Sequence, residues 1–394
     1  MKTPFKDYPL LNIKNKTVPI FYPHIPKKAK IAVSKVLSGR WLGQGPLVDK
    51  FEKVFSKKFC DDMPVVAVGS GTDALHLSYI LGDINKDDEI ICPVFTCTAT
   101  NIPLLYIGAK IKFADINPVD LNISLDHVEK LITKKTKAIV FVNYGGVLCN
   151  LQRLNYLAKK HKILLIQDAA QSLGAKYKNK SITSYADFTI FSFQAIKHIT
   201  SGDGGAICIR NKSLAKKAFR IRWFGIDRPK KQGGTWENDI TEVGYKYQLT
   251  DIGASLLLES INEFNFIKSH RNLIYKTYLK YIDQSELIRC AINTDKQSNP
   301  VMWLFTIITP FKDLIQKKLR AKNIETNQVH FRNDRYSIFK KFTKNKKFKN
   351  MDKIQNDYLV LPMHTKMTIA DAVRVSKEIN KIIKNTSEIK KKIN

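Results

Sequence analysis

No apolar run in this 394-residue chain approaches the roughly 18 residues that a membrane-spanning helix needs. The opening stretch MKTPFKDYPLLNIKN also lacks the hydrophobic core of a secretory signal. Cysteines are few. The six (Cys60, Cys92, Cys97, Cys149, Cys208, Cys290) are scattered, with no C-x-x-C pair and no histidine at metal-ligand spacing, which argues against a zinc module or a disulfide framework. There is no internal repeat and no helix-turn-helix, zinc-finger or RNP-type signature. Acidic residues are scarce, 35 against 66 Lys and Arg, giving a net charge of +31. A basic field draws phosphate of any kind, yet the lysines are spread along the chain and densest in KKFTKNKKFKN (340–350) and EINKIIKNTSEIKKKIN (378–394). That distribution reads as a lysine-rich solvated surface, or else as a field that attracts a small anionic substrate. The expectation is a soluble cytoplasmic protein with no membrane partner and no metal, for which nucleic acid is not the expected partner.

What is present is an alternation. PVVAV (64–68), EIIC (89–92), KIKFADI (110–116), AIVFV (138–142), ILLIQDA (163–169), DFTIFSF (187–193) and GAICIR (205–210) are short Val- and Ile-rich runs separated by amphipathic stretches. This pattern predicts parallel strands with crossover helices, an α/β layer domain. SGTDALHLSYILG (70–82) and SLDHVEKLITKK (124–135) read as two of those helices. After TDIGASLLLESINEF (250–264) the alternation weakens, and WLFTIIT (303–309) and DLIQKKLRAKN (313–323) suggest a smaller α+β unit. The expected division is a large domain over 1–262 and a small C-terminal domain over 263–394.

Three places carry chemistry. Gly69-Ser70-Gly71-Thr72 stands where a strand gives way to a helix, so free amides and the helix dipole favour an anion there. Such turns also use Gly and Ser for geometry alone. Asp168 ends the apolar strand ILLIQD, at the edge of an open sheet where ligands bind, although a carboxylate there can simply cap the next turn. Lys197 sits in FSFQAIKHITSGDGG (191–205), where a strand turns back through glycines into another strand. A lysine in a buried strand connection must be neutralised or covalently engaged, because burying its charge is costly. An anion site, a strand-end carboxylate and a buried lysine together suggest a pyridoxal phosphate enzyme. The lysine would form a Schiff base with the aldehyde, the carboxylate would hold the pyridine nitrogen protonated, and the helix start would bind phosphate.

With these residues in view, the chain resembles the fold-type-I sugar aminotransferases of the DegT, DnrJ, EryC and StrS family. The blocks that carry the resemblance are SGRWLGQGP (38–46), VAVGSGTDALHLSY (66–79), PVFTCTATNIPLLYIGA (93–109), QDAAQSLGA (167–175), FSFQAIKHITSGDGGAI (191–207), GYKYQLTDIGASLLL (244–258) and LPMHTKMT (361–368). Seven blocks in order, over about residues 12 to 380, are a specific signal. The resemblance implies a mostly parallel central sheet with flanking helices and a smaller α+β domain. It makes Lys197 and Asp168 catalytic, assigns Gln171 to the cofactor's ring oxygen, and gives the cofactor phosphate to Gly71, Thr72 and Ser192. It also implies a homodimer with shared active sites, the GYKY block reaching into the neighbouring subunit. Two positions depart from the family: Cys97 stands where an aromatic ring usually stacks on the cofactor, and Lys246 where Asn often approaches the partner's cofactor phosphate. A lysine can make that contact as a point charge. Retention of Lys197, where a dehydrating branch has histidine, favours transamination.

For substrate, QAIKHIT, GYKYQLTD and HFRNDRYSIF (330–339) resemble the perosamine-type branch. That implies transfer of the amino group of L-glutamate to C4 of a nucleotide-linked 4-keto-6-deoxyhexose, for polysaccharide or glycan biosynthesis. The same segments resemble enzymes that aminate a nucleotide-free keto-octulosonate. His330, Arg332 and Arg335 would hold a diphosphate or a carboxylate, or else are exposed loop charges. Trp41, Gly43 and Pro46 would line the sugar entrance. A reading from another class is a pyridoxal-phosphate-binding regulator with nucleic-acid affinity.

Overall fold

Seven of the apolar runs become one sheet. A computed structural model describes residues 17–393 apart from 229–230, 232, 235–238, 293–294 and 345; the opening residues 1–16, read above for a signal core, lie outside the described residues. The strands are β1 (Val65–Val68), β2 (Glu89–Pro93), β3 (Lys110–Ala114), β4 (Thr136–Val142), β5 (Leu164–Asp168), β6 (Phe188–Ser192) and β7 (Gly205–Ile209), in the spatial order β1-β7-β6-β5-β4-β2-β3. All run parallel except β7, which pairs antiparallel with both β1 and β6. Parallel neighbours need a crossover, usually helical. The segment 193–204 contains no helix, so the chain returns directly and β7 is reversed.

Both faces of the sheet are covered. Val66 and Val68 point into one apolar layer, Val65 and Ala67 into the other, and Ile90 and Ile91 divide in the same way, the period-two alternation of a strand buried on both sides. Among the flanking helices are α1 (Ala29–Leu37), α2 (Pro46–Phe59), α3 (Gly71–Leu81), α4 (Thr98–Tyr106), α5 (Leu125–Leu131) and α6 (Leu151–His161). Along α2, Phe51, Phe55 and Phe59 recur every fourth residue and meet Phe193, Phe191 and Phe264 edge-on, with centroids 5.4, 5.1 and 4.8 Å apart. Thus α2 clamps the end of β6, the strand that leads to Lys197. The α5 helix stops short of the predicted 135, because the Thr133 N–H turns to the Thr136 hydroxyl at 2.9 Å and its own hydroxyl to Glu89 at 2.5 Å.

The C-terminal portion is built on a three-stranded antiparallel sheet of Arg289–Cys290, Phe305–Ile308 and Tyr358–Leu361. Helices Phe264–Tyr281, Lys312–Arg320 and Ile369–Ile393 accompany it. The run WLFTIIT enters that sheet only at Phe305. Trp303 and Leu304 instead donate both backbone N–H groups to the Gly145 carbonyl, at 2.7 and 3.0 Å, which ties this portion to the loop after β4. Among the described residues, no helix is long and apolar enough to cross a membrane, and no group of three or more His, Cys, Asp or Glu is placed to hold a metal.

Candidate active site

Parallel strands present their carboxyl ends along one edge. There β1 leads into Gly69–Thr72, β4 into Asn143–Gly145, β5 ends in Asp168 and β6 in Ser192. Sheet order therefore gathers residues far apart in sequence, as the edge of an open α/β sheet does.

The anion cradle forms first. The Ser70 hydroxyl caps α3 by accepting the Asp73 N–H at 3.0 Å, while the N–H groups of Gly71 and Thr72, in the first turn, have no intrahelical acceptor. Gly71 lies against Ser192 so closely that a Cβ would sit 3.0 Å from the Ser192 Cβ. A Cβ on Gly205 would reach the Ser70 carbonyl oxygen at 2.3 Å, so β7 also needs glycine where it passes the loop.

Asp168 is buried. Its Oδ2 accepts the Thr100 hydroxyl at 2.8 Å and its Oδ1 the Ala170 N–H at 3.0 Å. Burial raises its pKa, and those two bonds together with the charge of Lys197 oppose the rise. Lys197 is partly exposed along its side chain. Enclosure of its amine lowers the pKa to about 8, with Asp168 and Cys97 pulling upward and Arg271 adding to the fall. An amine near that value exchanges protons readily at neutral pH.

Gln171 is locked from both ends. Its Oε1 accepts the Gly145 N–H at 2.7 Å, and its Nε2 lies 3.1 Å from the Nε2 of His330. An amide nitrogen only donates, so His330 must accept at Nε2 and carry its proton on Nδ1. Burial and the nearby Lys197 charge hold His330 down at about 3, leaving the ring neutral. The sequence expectation that His330 grips substrate is therefore revised: its ring is buried, and it holds Gln171.

Arg332 is a clearer correction. Its guanidinium is consumed by Asp334 (2.7 and 2.8 Å), Asp352 (2.6 Å) and Gln355 (2.9 Å), and the residue is 6% exposed. These carboxylates hold the loop that carries His330, so Arg332 acts within the fold and not on a ligand. Arg335 is exposed, 3.9 Å from Asp352. Trp41 and Lys246 lie elsewhere too, in a cleft of about 1550 Å³ shared with Gly43, Pro46, Arg228 and Gln248; neither Lys197 nor Asp168 lines it. Lys246 is exposed and donates to Gln248 at 2.6 Å. His198, beside Lys197, is buried with neither ring nitrogen in a hydrogen bond of ordinary geometry, and burial keeps it neutral. It packs.

Thr100, Gly145, Trp303 and Arg271 surround the site without having been singled out. Thr100 lies within FTCTATN, where nothing distinguishes it, and Trp303 within an apolar run that reads as strand.

A glycine-serine anion cradle, a buried strand-end carboxylate and a lysine of lowered pKa fit pyridoxal phosphate by donor chemistry: N–H and O–H groups for phosphate, an anion for a ring nitrogen, an amine for an aldehyde. This is a pyridoxal-phosphate-dependent transferase. More specifically, the chain belongs to the DegT/DnrJ/EryC1/StrS aminotransferase family, which it matches over residues 23–380, and it is a sugar aminotransferase that uses pyridoxal phosphate. It is 30% identical over 365 residues, 91% of this chain and 95% of the relative, to a UDP-4-amino-4,6-dideoxy-N-acetyl-beta-L-altrosamine transaminase of Campylobacter jejuni. It is 29% identical to the GDP-perosamine synthase of Escherichia coli O157:H7, covering 80% and 85% of the two chains. Among solved structures it is similar to Helicobacter pylori PseC, an aminotransferase involved in the biosynthesis of pseudoaminic acid. That likeness has a TM-score of 0.87 at 25% identity and covers 94% of this chain and all of that one.

Proposed function

We propose that this enzyme transfers the amino group of L-glutamate to C4 of a nucleotide-linked 4-keto-6-deoxyhexose, working in the cytoplasm as a homodimer with shared active sites. The observation that carries the reading is the meeting of Lys197, Asp168 and the Gly71–Ser192 cradle at one sheet edge. The nucleotide-linked substrate draws support from two relatives whose names specify a UDP-linked and a GDP-linked sugar.

Bound pyridoxal phosphate supplies an aldehyde and an electron-withdrawing ring. Ser192 and the N–H groups of Gly71 and Thr72 would bind its phosphate. Asp168 would keep a proton on the ring nitrogen, and Thr100 and Ala170 orient that carboxylate and favour its charged form against the effect of burial. The Gln171 amide, its oxygen held by Gly145 and one N–H by His330, would offer its remaining N–H to the ring oxygen. Lys197 would hold the aldehyde, and its amine, when free, would take and return the proton of the donor's α-carbon. Cys97, at the start of α4, would border the ring. Trp41 and Lys246, absent from this cluster within one chain, reach the partner's site.

The test is an amination assay with glutamate against a panel of keto sugars, nucleotide-linked and free, with products identified by mass spectrometry. Amination of a nucleotide-linked 4-keto sugar, abolished in Lys197→Ala, is the expected result. Reactivity confined to nucleotide-free acidic keto sugars would overturn the substrate assignment. Salt-dependent DNA binding without any amination would overturn the enzymatic one.

A further inference from the structure

Lys197 has a second neighbour besides Asp168. Its amine stands over the indole of Trp303, 3.8 Å from the ring centroid, well within the distance at which an aromatic face attracts a cation. The indole itself is fixed. Its Nε1–H donates to the carbonyl of Ile196, the residue before Lys197, at 2.8 Å. The ring stacks on Phe21 and on His330, with centroids 5.7 and 6.0 Å apart. Its backbone N–H donates to Gly145 at 2.7 Å, and its carbonyl accepts from Arg271 at 3.3 Å. Trp303 is 1% exposed. The lysine, by contrast, carries its charge on a flexible four-carbon stem.

The charged and titratable groups around this amine come from several elements. Asp168, at the end of β5, and Cys97, at the start of α4, favour its charge, and Arg271 from helix Phe264–Tyr281 opposes it. His198 and His330 are close enough to feel it. Asp168 is the one carboxylate in this set, and it already accepts Thr100 and Ala170. An aromatic face stabilises an ammonium without adding a second acid near the ring nitrogen.

We propose that the face of Trp303 is the resting position of the Lys197 amine whenever that amine is not bonded to the cofactor, and that the indole stabilises its ammonium form there. Trp303 is thus a positioning residue that keeps the released lysine beside the reacting atoms. The proposal rests on the reading of Lys197 as the lysine that captures the cofactor.

The test needs no sugar. The full chain is mixed with pyridoxal phosphate over a range of pH, and the growth of the bound cofactor's visible absorbance is timed. The unprotonated amine is the reacting form, so the rate rises with pH through the ionisation of Lys197. Replacing tryptophan biosynthetically with mono-, di- and trifluorinated analogues weakens the ring's attraction for a cation step by step while preserving its shape and its N–H. The midpoint then falls at each step, by about one unit in all, the equivalent of a partly desolvated cation–π contact. In Trp303→Phe, which leaves the other three of the four tryptophans fluorinated, the midpoint stays constant across the same series. A midpoint unmoved by fluorination, or one that moves equally in Trp303→Phe, overturns this proposal alone. Cofactor capture undiminished in Lys197→Ala overturns the reading of Lys197, and this proposal with it.

Discussion

Gln171 and His330 fix each other's chemistry, because the Gly145 N–H decides which way the amide points. His330→Gln keeps an acceptor within similar reach, so its affinity for pyridoxal phosphate, titrated by visible absorbance, should stay within about threefold of wild type. His330→Leu leaves the amide N–H without its partner and should weaken binding about tenfold, the scale of one buried unsatisfied donor. With His330 held down at about 3, the ring is already neutral across the working pH range. Cofactor affinity should therefore show no inflection at the ordinary histidine value, and such an inflection would contradict this account. The placement of Asp168 at a strand end and of Lys197 in a strand return was legible in the sequence, because a cation or a carboxylate buried there is physically costly without a use. The pairing of Gln171 with His330 was not, since 159 positions separate them and only the folded sheet edge brings them together. The same holds for Arg332: its basic character was visible, but not the two carboxylates that consume it.

At the scale of elements, the least legible contact is the capping of α2. The Asp251 carboxylate, on helix Asp251–Asn262, accepts the N–H groups of Gly45 (2.8 Å), Leu47 (3.2 Å) and Val48 (3.0 Å). Three donors at a helix start thus find a carboxylate more than 200 positions away. Asp251→Ala should lower stability by about 3 kcal/mol, read as a reduced urea midpoint at unchanged slope; a loss under about 0.5 kcal/mol, the range of ordinary surface substitutions, would contradict the role assigned to it. Strand positions, by contrast, were readable within a residue or two, because each needs only a short apolar run between breaks. The direction of β7 needed one further step: parallel neighbours are usually joined through a helix, and the connection 193–204 has none. The place of Trp303 was not legible, because within the apolar run WLFTIIT nothing shows that its backbone serves Gly145.

In the whole molecule, Trp41 and Lys246 line a cleft that neither Lys197 nor Asp168 lines, as expected if sites are shared between subunits. Mixing Lys197→Ala with Lys246→Glu chains tests this. If each site draws Lys197 from one subunit and Lys246 from the other, hybrid dimers hold one intact site, and mixing two inactive proteins restores about a quarter of wild-type activity. If each site is built from one chain, mixing restores nothing. The net charge of +31 gave little guidance at this scale, because a lysine-rich surface serves many ends. The central claim is that one lysine among so many is chemically singular. Borohydride reduction of the enzyme loaded with pyridoxal phosphate, followed by peptide mass spectrometry, tests it most directly. The account predicts one label per chain, on Lys197; labels scattered over surface lysines, with Lys197 unmodified, would contradict it.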